Sequence, residues 1–153
     1  MSEDAILLVE DDVRQLRALS EFLSAKGLKV FTASSCLEAE HICRTKRPDA
    51  AIFDYELPDG NALELMSRVK IIDPAIPILI LTGEGSIQLA VEAVKLGADQ
   101  FLTKPADFPT LLVLLQRSLD NSRARRVELA NKSGKVGRLC QKLIGSQLHG
   151  LNS

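Results

Sequence analysis

The residues of this chain best suited to chemistry are carboxylates that follow short apolar runs. The run over residues 50–53 stops at Asp54, and the run over residues 5–9 stops at Glu10 and Asp11. A carboxylate at the end of a buried strand costs free energy unless a cation or a reaction requires it. If these runs are strands of one sheet, the three acids repel one another, which favours a divalent cation such as Mg²⁺ among them.

A further apolar run and a further short predicted strand end before residues that can contact a phosphoryl group. Thr82 follows residues 77–81 and offers a hydroxyl, while Lys104 follows residues 99–103 and offers a positive charge. A carboxylate nucleophile, a divalent cation, a lysine and a hydroxyl together serve phosphoryl transfer, with Asp54 attacking the phosphorus. Each of these residues alone is ordinary in a loop, so the prediction rests on their occurrence as a set.

The elements that must position these residues alternate along the chain. Short apolar runs are separated by segments with helical spacing, and the helices are expected to begin near Val13, Ser34 or Ser35, Asn61, Ser86 and Asp107. Five β-α units in strict alternation predict an α/β fold with a parallel sheet and helices on both faces. The five-stranded doubly wound order is 2-1-3-4-5, although alternation alone does not select an order. All strands of such a sheet place their carboxyl ends at one edge.

Composition limits the class of protein. A chain of 153 residues, 46% hydrophobic and 25% charged, suits one globular domain with additional length. Its acidic start is not followed by a long apolar run, which argues against a signal peptide and a membrane span. The cysteines lack metal-binding spacing and are expected to be reduced: Cys36, Cys43 and Cys140. We therefore expect a cytoplasmic protein without membrane contact.

The motifs at the strand ends carry a family resemblance. They are Leu7-Leu8-Val9-Glu10-Asp11-Asp12, Asp54 with Leu57-Pro58-Asp59-Gly60, Leu81-Thr82-Gly83, and Lys104-Pro105. Together they resemble the receiver domain of bacterial two-component response regulators over about residues 4–120. The resemblance implies a flavodoxin-like sheet of order 2-1-3-4-5 and a signalling switch, not a metabolic enzyme.

The resemblance also implies roles for the acids. Asp54 is expected to accept a phosphoryl group from a sensor histidine kinase. Asp11 would bind Mg²⁺ directly and Glu10 through water, together with Asp54 and the backbone carbonyl of Glu56. The Glu56 side chain would lie near the path of an attacking water, so we expect it to affect the dephosphorylation rate, in a direction that the sequence does not give.

The same resemblance implies roles for residues of the fourth and fifth strands. Thr82 and Lys104 would hold the phosphoryl oxygens, and the Lys104-Pro105 bond is expected to be cis. Phe101 matches the aromatic residue that turns inward in the switched state, with plain packing as its alternative role.

Residues 121–153 are interpreted as a basic helical linker. Between residues 117 and 142 there are eight basic side chains and two acidic ones, and helical character is expected to about Asn131. The segment is either a solvated linker or a dimerising helix pair. Leu143-Ile144-Gly145-Ser146 resembles the opening of the AAA+ ATPase domain in activators that work with a sigma-54-type factor. That likeness predicts a regulatory fragment of a transcription regulator, cut before an ATPase and DNA-binding output domain. From the helical segment we also expect a homodimer, and we expect no nucleic-acid contact by this fragment itself.

Three alternatives remain open at this stage. A stand-alone receiver would act by protein–protein contact. A phosphatase of the haloacid dehalogenase type would resemble Asp-x-Asp, from which Asp54-Tyr55-Glu56 departs. A flavin-binding module would need a phosphate-binding loop after the first strand, where three acids stand instead (Glu10, Asp11 and Asp12).

Overall fold

The computed structural model describes residues 3–146, with only the backbone described for residue 129 and residues 131–146. The strands and helices follow in the order β1 (Ala5–Val9), α1 (Val13–Ala25), β2 (Lys29–Ala33), α2 (Cys36–Lys46), β3 (Ala50–Asp54), β4 (Glu56–Leu57), β5 (Gly60–Asn61), α3 (Ala62–Ile72), β6 (Ile78–Thr82), α4 (Ile87–Lys95), β7 (Gln100–Thr103) and α5 (Phe108–Ser146). None of the described helices combines the length and apolar character needed to cross a membrane.

Five of the strands form one parallel sheet in the order β2-β1-β3-β6-β7. Because β6 and β7 are its fourth and fifth strands along the chain, the predicted order 2-1-3-4-5 is confirmed. A separate antiparallel pair, β4 and β5, was not predicted. Its strands are two residues long, which is too short to produce a period-2 pattern.

The sheet separates two buried clusters of apolar side chains, as expected for a layered α/β fold. One cluster includes Leu7, Phe53 and Ile80 together with residues of α2, α3 and α4. The other includes Leu8, Ile52 and Leu79 together with residues of α1 and α5. Alternate residues of each central strand therefore enter different cores, which explains why these strands read as unbroken apolar runs.

The helix starts agree with the capping residues in the sequence. Ser35, rather than Ser34, caps α2, and Ser86 caps α4 through the backbone N–H of Leu89. Asn61 forms a capping box with Glu64 at the start of α3. These local hydrogen bonds satisfy N–H groups that the first helical turn leaves without partners.

Several boundaries differ from the sequence prediction, and those of β2 and α5 have a visible cause. Strand β2 is displaced by one residue from the predicted 28–32, because the Leu28 N–H is bonded to the Leu23 carbonyl at the end of α1. Helix α5 continues to Ser146, well beyond Asn131. Residues 121–146 contain no proline that would end the helix, although three glycines lower its helix propensity.

The chain divides into two units, with the boundary between Leu119 and Asp120. The first unit contains the whole sheet and the start of α5. The second contains the rest of α5, where Arg123 Nη1 lies 3.1 Å from Asp120 Oδ1. All the candidate site residues belong to the first unit.

Candidate functional site

The carboxyl ends of the strands bring the predicted site residues to one edge of the sheet. Asp54 is the last residue of β3 and Thr82 the last of β6, while Glu10 and Lys104 directly follow β1 and β7. The backbone joins the last two strands here, since the Lys104 N–H donates to the Thr82 carbonyl over 2.7 Å. Backbone pairing between the strands therefore fixes the distances between the backbones of the site residues, independently of their side-chain contacts.

The ammonium group of Lys104 lies between two carboxylates. Its Nζ is 2.7 Å from Glu10 Oε1 and 2.8 Å from Asp54 Oδ1. Burial opposes the charge on Lys104, but the hydrogen bonds and negative charges of Asp54 and Glu10 outweigh it, so the pKa of Lys104 is raised. The lysine is thus kept positive beside the proposed nucleophile.

The three predicted metal-binding acids also meet. Carboxylate oxygens of Glu10, Asp11 and Asp54 all lie within 4.8 Å of one another. Burial raises the pKa of the Glu10 carboxyl, and the charge of Asp54 adds to the rise, although the hydrogen bond from Lys104 opposes it. A divalent cation would favour the charged form of such a cluster, and hard oxygen ligands are those that Mg²⁺ prefers. The donor set therefore fits Mg²⁺.

Thr82 is buried and bonded to its own loop. Its hydroxyl donates to the Glu84 carbonyl over 3.1 Å and accepts from the Glu84 N–H over 3.2 Å. The Thr82 hydroxyl is thus engaged by the β6–α4 loop.

The remaining predicted residues lie around this centre. Phe101 is half-buried on β7 and packs against the core cluster that includes Ala93 and Ala98. Glu56 is exposed in β4, opposite Asn61. The Lys104-Pro105 peptide bond is cis, as the resemblance implied.

The sequence interpretation missed Gln15, which contacts the site from helix α1. Its Oε1 accepts a third hydrogen bond from Lys104 Nζ, over 2.7 Å. Its Nε2 donates to Asp12 Oδ2 over 3.2 Å, and Asp12 caps α1. The helix start predicted near Val13 already put Gln15 in the first turn, and the capping-box spacing Asp12-x-x-Gln15 agrees with that position, but neither signal places Gln15 beside Lys104.

A second missed residue is Asp59, in the loop that follows Asp54. Its carboxylate accepts from the N–H groups of Cys36 over 2.7 Å and Leu37 over 3.0 Å, at the start of α2. These bonds lower the pKa of Asp59. Because the partners are more than 20 positions apart in the chain, only the turn character of Pro58-Asp59-Gly60 was visible in the sequence.

A cavity of about 590 Å³ lies next to the site. Gln15 and Ala18 of α1 line one part of it, while Lys104 and Phe108 line another. The central strands contribute apolar side chains to its lining, including those of Leu8, Ile52 and Leu81. The Lys104 side chain therefore borders open space and not only packed neighbours.

Comparisons with known proteins agree with this geometry. The family model described as "Response regulator receiver domain" matches residues 6–116. The chain belongs to this family, so it contains a receiver domain, which is a signalling domain of the response regulators. The family recognition and the flavodoxin-like fold are therefore confirmed.

Two similar curated proteins are regulators. The chain is 38% identical over 106 residues to the photosynthetic apparatus regulatory protein RegA of Cereibacter sphaeroides, covering 69% of this chain and 58% of RegA. It is 36% identical over 128 residues to the transcriptional regulatory protein ZraR of Salmonella typhimurium, covering 84% of this chain and 29% of ZraR. The chain thus spans less than two thirds of either relative.

Solved structures show the same fold. A CheY-like receiver domain protein from Methanospirillum hungatei JF-1 superposes with a TM-score of 0.77 and 27% identity, covering 81% of this chain and 99% of that one. The beryllofluoride-activated NtrC4 receiver domain dimer gives a TM-score of 0.74 and 28% identity, covering 77% of this chain and 98% of that one.

Proposed function

We propose that this chain is a phosphorylation-operated switch in which Asp54 accepts a phosphoryl group from a sensor histidine kinase. The observation that carries the proposal is the position of Lys104 Nζ, 2.8 Å from Asp54 Oδ1, beside three clustered acids. A carboxylate held next to a lysine and a cation-binding cluster is suited to nucleophilic attack on phosphorus.

The transfer begins with an Asp54 carboxylate oxygen approaching the phosphorus of a phosphohistidine. A P–O bond forms to Asp54 while the P–N bond breaks, and its electron pair leaves with the imidazole nitrogen. Lys104 is already beside Asp54 and neutralises negative charge on the phosphoryl oxygens. Thr82 supplies a hydroxyl donor to the same group after leaving its bonds to Glu84.

Mg²⁺ would be held by the carboxylates of Glu10, Asp11 and Asp54 and by the backbone carbonyl of Glu56. When bound, it supplies positive charge that offsets the repulsion between these acids and the phosphoryl oxygens. The support for this ligand set is the donor chemistry of the cluster and the rise in the Glu10 pKa. The protein catalyses only its own phosphorylation and dephosphorylation.

The switch would couple Thr82 to the neighbouring strand. Thr82 pairs with Thr103 across β6 and β7, and Phe101 lies two residues before Thr103. Once Thr82 turns toward the phosphoryl group, the space around its loop changes, and Phe101 moves inward from its half-buried position. The output is transcription regulation through a further domain or partner, as the name of the transcriptional regulatory protein ZraR suggests.

Residues 4–120 would form the receiver domain and residues 121–153 a basic helical linker, of which residues 147–153 lie outside the described part. The likeness of residues 143–146 to the start of an ATPase domain stays a prediction. We also expect a homodimer, since the NtrC4 receiver was solved as a dimer. Size-exclusion chromatography with light scattering, with and without beryllofluoride and Mg²⁺, tests this; a monomer under both conditions contradicts it.

Phosphorylation is tested with a small phosphodonor, such as phosphoramidate, and Mg²⁺, followed by intact-protein mass spectrometry. We expect one phosphoryl adduct on the wild type, none on Asp54→Asn, and none when a chelator removes Mg²⁺. An adduct that persists in Asp54→Asn would overturn the assignment of the acceptor.

Glu56 is tested through the lifetime of the adduct. Its side chain is exposed in β4, two positions after Asp54 in the chain, where we expect it to influence an attacking water. We expect Glu56→Ala to change the autodephosphorylation rate about threefold or more while leaving phosphorylation at Asp54 intact. Equal decay rates for Glu56→Ala and the wild type would show that this side chain has no part in hydrolysis.

A further inference from the structure

The Lys104 ammonium is held by a third group that the proposed reaction does not use. Lys104 Nζ donates to Gln15 Oε1 over 2.7 Å, in addition to its contacts with Glu10 and Asp54. An ammonium group has three protons, so these acceptors match its full donor capacity. The two carboxylates carry charge, whereas the Gln15 amide is neutral.

The orientation of the Gln15 amide is determined by its own partner. Gln15 Nε2 donates to Asp12 Oδ2 over 3.2 Å, which leaves the amide oxygen directed to Lys104. Asp12 is in turn held by the start of α1, since its Oδ1 accepts from the Arg14 N–H over 2.9 Å. A chain of hydrogen bonds thus runs from the start of α1 through Asp12 and Gln15 to Lys104.

In the proposed reaction, only one of the three acceptors of Lys104 is modified. The Asp54 oxygen would be replaced by an oxygen of the phosphoryl group that Asp54 carries. Glu10 and Gln15 take no part in the bond changes, and Gln15 is the one of the two that lies outside the acidic cluster. Because Lys104 borders a cavity of about 590 Å³, its side chain has room to turn away when Gln15 does not hold it.

We propose that Gln15 is a positioning residue, whose amide oxygen holds the Lys104 ammonium toward the oxygens of the phosphoryl group on Asp54. This inference rests on the proposed function and extends it to a residue of α1. The contribution of Gln15 arises from orientation: a lysine already held in place loses less freedom when it binds the phosphoryl group.

The test compares Gln15→Met with the wild type. Methionine keeps the length and helix propensity of glutamine but cannot accept the hydrogen bond from Lys104. Gln116→Met is the matched control, because Gln116 is an exposed glutamine on α5 that no part of the proposed mechanism uses. Beryllofluoride at saturating Mg²⁺ serves as the probe. Its binding is followed by the fluorescence of Tyr55, the single tyrosine in a chain without tryptophan, or by calorimetry.

We expect Gln15→Met to weaken beryllofluoride binding about three- to tenfold, while Mg²⁺ affinity and the unfolding temperature stay at wild-type values. Gln116→Met should match the wild type throughout. Equal beryllofluoride affinity in Gln15→Met and the wild type would overturn the inference, as would a parallel loss of Mg²⁺ affinity, which would indicate a general disturbance of the site. If the wild type itself fails to bind beryllofluoride or to form an adduct at Asp54, the proposed function fails instead.

A double-substitution cycle shows whether Gln15 acts through Lys104. Phosphorylation rates with the small phosphodonor are compared among the wild type, Gln15→Met, Lys104→Met and the double variant. We expect the double variant to be as slow as Lys104→Met alone. A further about threefold or greater loss in the double variant would mean that Gln15 acts on another group, which would contradict the positioning role.

Discussion

Helices α3 and α4 follow neighbouring central strands of the sheet, but they are packed against it to different extents. Helix α3 buries residues on most of its inner surface, namely Ala62, Leu63, Leu65, Met66 and Val69. Helix α4 buries only Ala93 and leaves Ile87 84% exposed and Val94 60% exposed. Both helices have apolar sequences, so composition does not account for the difference.

The difference in burial corresponds to the site residue that each helix follows. Helix α3 begins at the capping box formed by Asn61, shortly after the Asp54 strand, and is held by the core. Helix α4 follows the loop that engages the Thr82 hydroxyl. An element with few buried apolar contacts has low local stability and shifts at small cost. The molecule therefore combines a firmly packed side near the nucleophile with a lightly packed side near the threonine.

Matched valine substitutions give the largest expected contrast between the two helices. Val69 in α3 is fully buried, and Val69→Ala should lower the free energy of unfolding by about 2 kcal/mol through lost burial and a residual cavity. Val94→Ala in α4 should change it by less than about 0.5 kcal/mol, because the side chain is largely exposed. Urea denaturation measures both, and similar losses would remove the basis of the comparison.

Alanine substitutions at the glycines of the loop before α4 are expected to have a smaller effect on stability than the valine substitution in α3. A Cβ at Gly85 would lie 2.6 Å from Thr103 Oγ1, whereas a Cβ at Gly83 would meet nothing within 4 Å. We expect Gly85→Ala to displace the loop, to lower stability by about 1 kcal/mol and to shift NMR signals of the first turn of α4.

Two variants serve as controls for this displacement. Gly83→Ala should leave the signals of α4 in place. Adding Thr103→Ala to Gly85→Ala should restore them, since the atom in contact is then absent. Signals that stay displaced in the double variant would show that Gly85 acts through backbone freedom and not through its contact with Thr103.

The smallest expected effect concerns Asp59, which ties the loop after Asp54 to helix α2. Hydrogen bonds from Cys36 and Leu37 lower the pKa of Asp59 in the folded state. A carboxyl with a lowered folded pKa stabilises the fold above its unfolded pKa of about 3.9, and this contribution is lost as pH falls through the folded value. Asp59→Asn should therefore be less stable than the wild type at pH 7, with the difference shrinking below about pH 4. Thermal unfolding at both pH values measures it, and a difference independent of pH would contradict this account.

Much of the architecture could be predicted because its signals are local. Helix caps at Ser35, Asn61 and Ser86 act on N–H groups within three residues, so short sequence patterns reveal them. The apolar runs that end at Asp54 and Thr82 mark strands regardless of where those strands lie in the sheet. The short β4–β5 pair and the full length of α5 were missed, since neither has a distinctive local pattern.

The candidate site was predictable as a set of residues but not as a network. Because parallel strands place their carboxyl ends at one edge, Glu10, Asp54 and Lys104 were expected to meet, and they do. The contact between Gln15 and Lys104 was not predictable, because it joins side chains 89 positions apart. The contact of Asp59 with the start of helix α2 was unpredictable for the same reason, since its partners lie 23 and 22 positions away in the chain.

The sequence by itself determined the alternation of strands and helices, the residues at the strand ends and the starts of the helices, because each depends on neighbours within a few positions. The tertiary structure decided which acceptors surround Lys104 and how firmly each helix is held. The apolar residues of α3 and α4 look alike in the chain. Only the surfaces available on the folded sheet bury most of the first set and leave Ile87, Val91 and Val94 of the second exposed. Burial depends on the whole arrangement of the chain, which no short segment contains.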